Sequence, residues 1–204
     1  MSRAEELLAL ARGVRGFMPE PEGRALYELA RDCARPRGTW LELGAWCGKS
    51  TVYLGAAAEE AGALLYSLDH HRGSEETQAG WEHFDPAVVG ADGRIDTLPH
   101  WRATLAAAGL EGSVVGLVGE STAVAAHFAQ PLDLLFLDGG HGEAVAWADW
   151  RAWSPKVAAG GLLLIHDVFA DPADGGRPPY EIFQAALDEG FAEVSAVGSL
   201  RALV

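Results

Sequence analysis

Two apolar runs of this chain end in side chains that can accept a proton. LDLLFLD closes on Asp138 and is followed by Gly139, Gly140 and His141, while GLLLIHD closes on His166 and Asp167. Carboxylates ending buried strands are costly unless they are paired or used. An unperturbed imidazole titrates near pH 6.5, so either histidine could serve as a general base. The alternatives are plainer: an Asp that caps a helix or turn, and a His hydrogen-bonded to a neighbouring strand end.

A second constellation lies earlier, in LELGAWCGKST (residues 41–51), where Gly44 and Gly48 follow an apolar run that carries Glu42. Glycine allows the positive φ of a tight turn and leaves no Cβ between backbone and ligand. Asp69 ends the next apolar run, where a carboxylate can accept from both hydroxyls of a ribose. Together they point to a nucleoside-bearing cofactor, although glycine at such a turn is also ordinary packing chemistry. The spacing is GxxxG, not the GxGxxG of dinucleotide sites, which counts against NAD. A P-loop is excluded, because its first glycine would have to be residue 43, which is Leu.

These residues need elements to hold them. Helical periodicity covers 3–12 and 21–34, and Arg35-Pro36-Arg37-Gly38 stops the second helix. TWLELGA then reads as a buried strand, a helix starts near Gly48 to Ser50, and ALLYSLD is a second strand. A helix near 99–108 precedes SVVGLVG, LDLLFLD and GLLLIHD, with helical stretches at 121–129 and 142–155 between them. Alternating strands and helices with nearly continuous apolar strands predict an α/β, doubly wound parallel sheet covered on both faces, with ligands beyond the carboxyl ends of its strands. After a helix near 180–188, FAEVSAVG and SLRALV flank Gly198-Ser199 at hairpin spacing, so the sheet should end in an antiparallel pair. Trp147, Trp150 and Trp153 recur at helical spacing and read as core or interface, not as an aromatic cage.

Composition narrows the partners. The chain has 204 residues, 49% of them hydrophobic, which suits one domain, residues 1–204. Its net charge of −14, from 29 acidic against 15 basic residues, repels phosphate backbones and argues against nucleic acid. No apolar run approaches a membrane span, and the first residues are too acidic for a secretory leader, so a cytoplasmic location is expected. Cys33 and Cys47 belong to no CxxC pair and read as buried, reduced thiols.

The combined set, Glu42 through Thr51, Asp69, and LFLDGGHGEAVAWADWRAWSPKVAAGGLLLIHDV (135–168), resembles the class I S-adenosylmethionine-dependent methyltransferases. The branch it is most similar to holds the catechol-type and caffeoyl-CoA-type O-methyltransferases and small bacterial relatives with a D-G-x-H segment. The resemblance implies a Rossmann-like sheet of seven strands in the order 3-2-1-4-5-7-6. Glu42, Gly44 and Gly48 would line the methionine part of the cofactor, with Ala45, Trp46 and Ser50 in the same turn. Asp69 would take the ribose, with His70 beside it, and the Gly119-Glu120-Ser121 turn the adenine; Asp138 counts as a further cofactor contact. In metal-dependent members, acidic residues end the fourth and fifth strands, and those positions map onto Asp138, His166 and Asp167. His166 departs from that pattern, and imidazole suits zinc, iron or nickel better than magnesium. Without a metal, His141 or His166 would be the base.

The expected function is therefore methyl transfer to a small-molecule acceptor, with an oxygen nucleophile and metal assistance as the finer expectation. A nicotinamide-dependent oxidoreductase and an idle, ligand-binding form of the fold are the alternatives. No nucleic-acid or membrane partner is expected, and a homo-oligomer is compatible with the sequence. The N-terminal helices (1–37) precede the sheet, and residues 70–100 form an inserted, lid-like segment. That segment is long for a loop and carries Trp81, Phe84, Val88, Val89 and Ile95, which a solvated linker would not concentrate. A second loop at 169–181, with Arg177 and Tyr180, is expected to face it.

Overall fold

The computed structural model describes residues 1–32, 37–81, 83–171 and 173–204. Cys33, Arg35, Pro36 and the predicted end of the second helix lie outside the described residues. Two helices, α1 (Arg3–Gly13) and α2 (Glu20–Asp32), come first, followed by strand β1 (Thr39–Leu43) and helix α3 (Lys49–Ala61). Then come β2 (Leu64–Asp69), α4 (Leu98–Ala108), β3 (Val114–Val118), α5 (Ser121–Ala125), β4 (Leu132–Leu137) and α6 (Glu143–Trp153). The chain finishes with β5 (Val157–Ile165), α7 (Arg177–Asp188), β6 (Glu193–Val197) and β7 (Leu200–Leu203).

The seven strands form one sheet in the order β3-β2-β1-β4-β5-β7-β6. Strands β1 to β5 pair in parallel, and β7 runs antiparallel to both β5 and β6. This is the predicted order with its terminal hairpin. Side chains alternate between the two faces of each strand. Leu134 and Phe136 of β4 join Leu162 and Leu164 of β5 in the core under α1 to α4, while Leu135, Leu137, Leu163 and Ile165 enter the core under α5 to α7. Trp150 and Trp153 are buried in the second core and Trp147 packs against it, so the tryptophan stripe is core.

What matters for function is that the carboxyl ends of the strands are stitched together by backbone. Gly44 N–H donates to Leu68 O at 3.0 Å, Asp138 N–H to Leu43 O at 2.9 Å, His166 N–H to Leu137 O at 3.1 Å, and Gly119 N–H to Asp69 O at 3.2 Å. Each bond crosses from one strand end to the next, which brings every sequence-predicted strand-end residue to one rim of the sheet.

The described residues of the 70–97 segment are structured. It holds two single-turn 3₁₀ helices, Glu75–Thr77 and Pro86–Val88, and a bridge between Val89 and Ile95. Val88 and Ile95 are buried with Cys47, against which Trp46 packs. Trp81, by contrast, is 54% exposed, so it does not anchor the segment as its apolar character led one to expect.

Candidate functional site

At this rim opens a cavity of about 830 Å³. That is ample for a nucleoside-sized cofactor together with a small second molecule. Its wall includes Gly44, Ala45, Trp46, Ser50, Asp69, His70, the Gly119-Glu120-Ser121 turn, Asp138, His141, His166 and Asp167, all of them expected at the site.

Gly44 explains its own identity. It sits at φ +87°, and a Cβ there would lie 2.0 Å from the carbonyl oxygen of Asp138. The glycine thus lets the β1 turn press against the end of β4. Gly48, at φ +93°, is the N-cap of α3 and faces Trp101 and Thr104 of α4. It is not among the cavity-lining residues, unlike the placement expected for it. Trp46 and Asp167 also adopt positive φ, 47° and 57°. For a bulky residue such as Trp46 this conformation costs of order 1–2 kcal/mol, a strain that clusters at functional sites.

Asp69 is already engaged with the turn it faces. Its Oδ2 accepts from the backbone N–H groups of Ala45 and Trp46, both at 2.9 Å, and its Oδ1 accepts from His71 N–H at 2.7 Å. The carboxylate therefore holds the glycine turn in shape, and lone pairs remain for further donors. Of the two adjacent histidines, His70 lines the cavity, whereas His71 is buried with Nδ1 2.7 Å from Thr97 Oγ1.

Glu42 is 0% exposed and does not reach the cavity. It accepts from Ser50 Oγ at 2.5 Å, Thr51 Oγ1 at 2.6 Å and Ser67 Oγ at 2.6 Å. Burial pushes its pKa up to about 7, against the lowering effect of those three hydroxyls. Its role here is to brace Ser50 from beneath the cavity wall. Cys47 is buried, and burial pushes its thiol up to about 12, as expected for an inert cysteine.

The strand-end cluster is an ion network. His166, 4% exposed, has Nε2 2.7 Å from Glu22 Oε2, and its Nδ1 lies 2.9 Å from Asp138 Oδ1 and 3.4 Å from Asp167 Oδ2. Burial works against a charge on this imidazole, but Asp138 above all, then Asp167 and Glu22, push its pKa up to about 12. Burial also works against the Asp167 carboxylate, yet His141 and His166 hold it well below the usual range. His141 completes the chain, with Nε2 3.1 Å from Asp167 Oδ2 and Nδ1 3.5 Å from Glu76 Oε1. Burial lowers its pKa, and Asp167, then Glu76 and Asp138, carry the balance above the ordinary value. The strongly held His166 imidazolium is buried, whereas His141 lies at the open end of the chain and lines the cavity.

Asp138, His166 and Asp167 can each offer one ligand atom, all within 4.8 Å of one another. The donor set fits a divalent metal: with Nε2–H held by Glu22, the lone pair of Nδ1 would face the two carboxylates, the orienting arrangement that metal-bound histidines use. The same place is filled by a proton when His166 is charged.

Three contributors were not predicted. Glu22 comes from α2, and Ser199 donates to it twice, through N–H at 3.1 Å and Oγ at 2.9 Å. Phe17 stacks near Trp46 and His83 at the cavity mouth, with ring centroids 5.7 and 5.0 Å apart. Asp149 reaches the cavity from α6. A Glu in the first turn of a helix, as Glu22 is, ordinarily signals only the helix dipole.

The profile of a family described as "Methyltransferase domain" matches residues 41–168, which span the glycine turn, Asp69 and the strand-end cluster. Solved structures share the fold. The methyltransferase PaMTH1 of Podospora anserina, bound to SAH, superposes with a TM-score of 0.67 at 16% identity, over 100% of this chain and 87% of that one. An O-methyltransferase of Bacillus cereus in complex with SAH gives 0.65 at 16% identity, over 100% and 91%. The O-methyltransferase NovP gives 0.69 at 16% identity, over 98% and 96%. The family match decides between methyl transfer and the nicotinamide alternative, and the sheet order agrees with it: the chain belongs to the methyltransferase-domain family, and is a class I S-adenosylmethionine-dependent methyltransferase.

Proposed function

We propose that the protein methylates an oxygen of a small, neutral acceptor. The observation that carries this reading is that one cavity joins the Gly44/Asp69/Gly119 wall to the Glu76–His141–Asp167 chain. Bound S-adenosylmethionine supplies a sulfonium methyl group for in-line transfer to an oxygen lone pair, with the broken C–S electron pair left on sulfur. The chain's own residues orient the two reactants and handle the proton. Asp69 shapes the turn and offers its spare lone pairs to ribose hydroxyls. His141 takes the acceptor's proton at Nδ1, where Glu76 at 3.5 Å is too distant for a strong bond, and Asp167 stabilises the resulting imidazolium through Nε2–H. The many carboxylates of the wall disfavour anionic acceptors, and the overall charge of −14 disfavours nucleic acid.

The 70–97 segment and the loop after β5 act as the acceptor's lid, since Ser74, Glu76 and Thr77 of the first and Phe169 and Gly176 of the second line the same cavity. The test is calorimetric titration with S-adenosylhomocysteine and with NAD, followed by mass spectrometry of a hydroxyl-bearing acceptor panel. Binding of NAD alone would overturn the cofactor reading, and transfer confined to nitrogen acceptors the oxygen reading.

A second reading adds a metal, favoured by the three ligand atoms within 4.8 Å. A divalent cation held by Asp138, His166 and Asp167 would supply Lewis acidity that lowers the pKa of the acceptor hydroxyl. Zinc or nickel should then bind in a calorimeter and exhaustive chelation should abolish transfer; undiminished transfer after chelation removes the metal and leaves His141 alone as base.

A further inference from the structure

Glu22 and Ser199 reach the strand-end network from outside the residues 41–168 that match the family, one from α2 and the other from the turn between β6 and β7. The place for Glu22 is built. It is 7% exposed, and Ser199 donates to both of its oxygens, through N–H to Oε1 at 3.1 Å and through Oγ to Oε2 at 2.9 Å. Gly198, at φ +56°, lets the hairpin turn close on the carboxylate, since a Cβ there would lie 2.1 Å from Oε1. What this anchored group holds is one edge of the His166 ring, with Nε2 at 2.7 Å, while the Phe136 ring packs against the imidazole with centroids 6.4 Å apart. The other edge, Nδ1, is thereby aimed at Asp138 Oδ1 and Asp167 Oδ2, 2.9 and 3.4 Å away.

We propose that Glu22 is a positioning residue that sets which metal the strand-end cluster takes: by keeping a proton of His166 on Nε2 it offers Nδ1 as a nitrogen ligand beside two carboxylates, the donor set of a zinc-class cation and not of magnesium. This rests on the metal reading above and deepens it. An ionised carboxylate only accepts, so an imidazole with carboxylates at both edges needs a proton or a cation at each. At the Glu22 edge both oxygens already take a donor from Ser199 in a buried pocket, which suits an N–H and not an ion that needs several ligands. At the other edge three ligand atoms converge within 4.8 Å at the cavity wall. A carboxylate behind a ligating histidine fixes its tautomer and raises its basicity. Magnesium takes carboxylate and water oxygens and gains little from the ring.

The probes are zinc and magnesium, titrated calorimetrically into the whole protein. The wild type should bind zinc the more tightly. Magnesium bound as tightly as zinc, or neither metal bound, overturns the proposal without any variant having to fold. Glu22→Gln keeps the volume and an acceptor oxygen but loses the charge, and it should cost about 10- to 100-fold in zinc affinity while the affinities for magnesium and S-adenosylhomocysteine stay unchanged. An unchanged zinc affinity, or a parallel loss of all three ligands, would make Glu22 only a support for the packing of α2. Magnetic resonance of protein with isotope-labelled histidine gives an independent reading: zinc should shift Nδ1 of His166 and leave Nε2 protonated, and zinc on Nε2 sinks the assignment. Zinc binding that depends on Glu22 while methyl transfer survives chelation upholds the role of Glu22 and removes the metal from the reaction, so the two readings fail separately.

Discussion

Glu42 and Glu22 are both buried carboxylates that accept three hydrogen bonds, and the protein shifts them in opposite directions. Glu42 is bonded by three hydroxyls and rises to about 7. Glu22 is bonded by an imidazole and by the backbone and hydroxyl of Ser199, and despite its burial it falls below the usual carboxylate range. The number of bonds is the same, so it cannot decide the sign. Neutral donors satisfy lone pairs but only partly offset the cost of burying charge, whereas His166 brings a compensating charge. One centre braces Ser50 beneath the cavity wall through three hydroxyls; the other gathers ionic groups at the strand-end rim.

The largest expected effect comes from removing that charge. His166→Gln leaves Glu22, Asp138 and Asp167 without their shared cation and should cost about 3–5 kcal/mol of stability, read from urea unfolding. Adding Glu22→Gln should return part of the loss, since one uncompensated charge is gone and the paired effects are not additive. A double variant less stable than His166→Gln alone would mean that Glu22 is held by Ser199 and α2 packing rather than by the imidazole, and the comparison would break.

His141 sharpens the contrast within the cluster, because it lies at its open end while His166 lies at its closed end. His141→Asn should lower turnover by roughly 10²- to 10⁴-fold, the usual scale for a lost general base. Stability and S-adenosylhomocysteine affinity should stay within about 0.5 kcal/mol, as for a substitution that removes no core contact. Equal losses in His141→Asn and His166→Gln, in stability and turnover alike, would erase the division between a holding and a transferring histidine.

This division was only half legible in the sequence. Strand periodicity and the run of small residues after β1 placed Gly44, Asp69, Asp138, His141, His166 and Asp167 at one rim, because each follows an apolar run directly and a parallel sheet aligns such ends. Glu22 could not be found that way: it lies 144 positions from His166, and only the packing of α2 brings it there. Asp149 hides in a tryptophan-rich helix whose periodicity announces core. For Gly44, local chemistry identified the residue but not its reason, the carbonyl of Asp138. Glu42 shows the reverse failure, since a carboxylate beside a glycine turn looks like a ligand contact until the three hydroxyls beneath the wall are seen.

A smaller effect concerns pH. Glu42 has a folded pKa of about 7, raised from 4.5, so the folded state binds the extra proton between those values. The sign follows: this contribution is fully present below about 4.5 and is lost as pH rises through about 7. Between pH 5 and pH 8 the wild type should lose of order 1–3 kcal/mol from this group, and Glu42→Gln, which keeps an acceptor without the charge, should show a flatter profile. Identical slopes in the two proteins would mean that the hydroxyls carry Glu42 as an anion at no cost, making it like Glu22 after all.

The smallest effect separates the two ways in which the N-terminal region touches the site. Glu22 enters the buried network, while Arg15, a few residues earlier, pairs with Asp85 of the 70–97 segment at the surface, with side chains 46% and 24% exposed. Next to this pair the Phe17 ring contacts Trp46 and His83, so the linker between α1 and α2 packs against the 70–97 segment beside the cavity. An exposed pair gains little Coulomb energy in water, and salt screens it further. Arg15→Ala should therefore cost less than about 1 kcal/mol of stability at low salt and nothing measurable at 1 M salt. Its consequence should show in the acceptor, as a few-fold rise in KM with kcat and S-adenosylhomocysteine affinity unchanged, if the contact seats the proposed lid and leaves Asp69 and His141 untouched. A fall in kcat with KM constant would instead tie this surface pair to the chemistry, and the difference between the buried and the exposed contact would vanish.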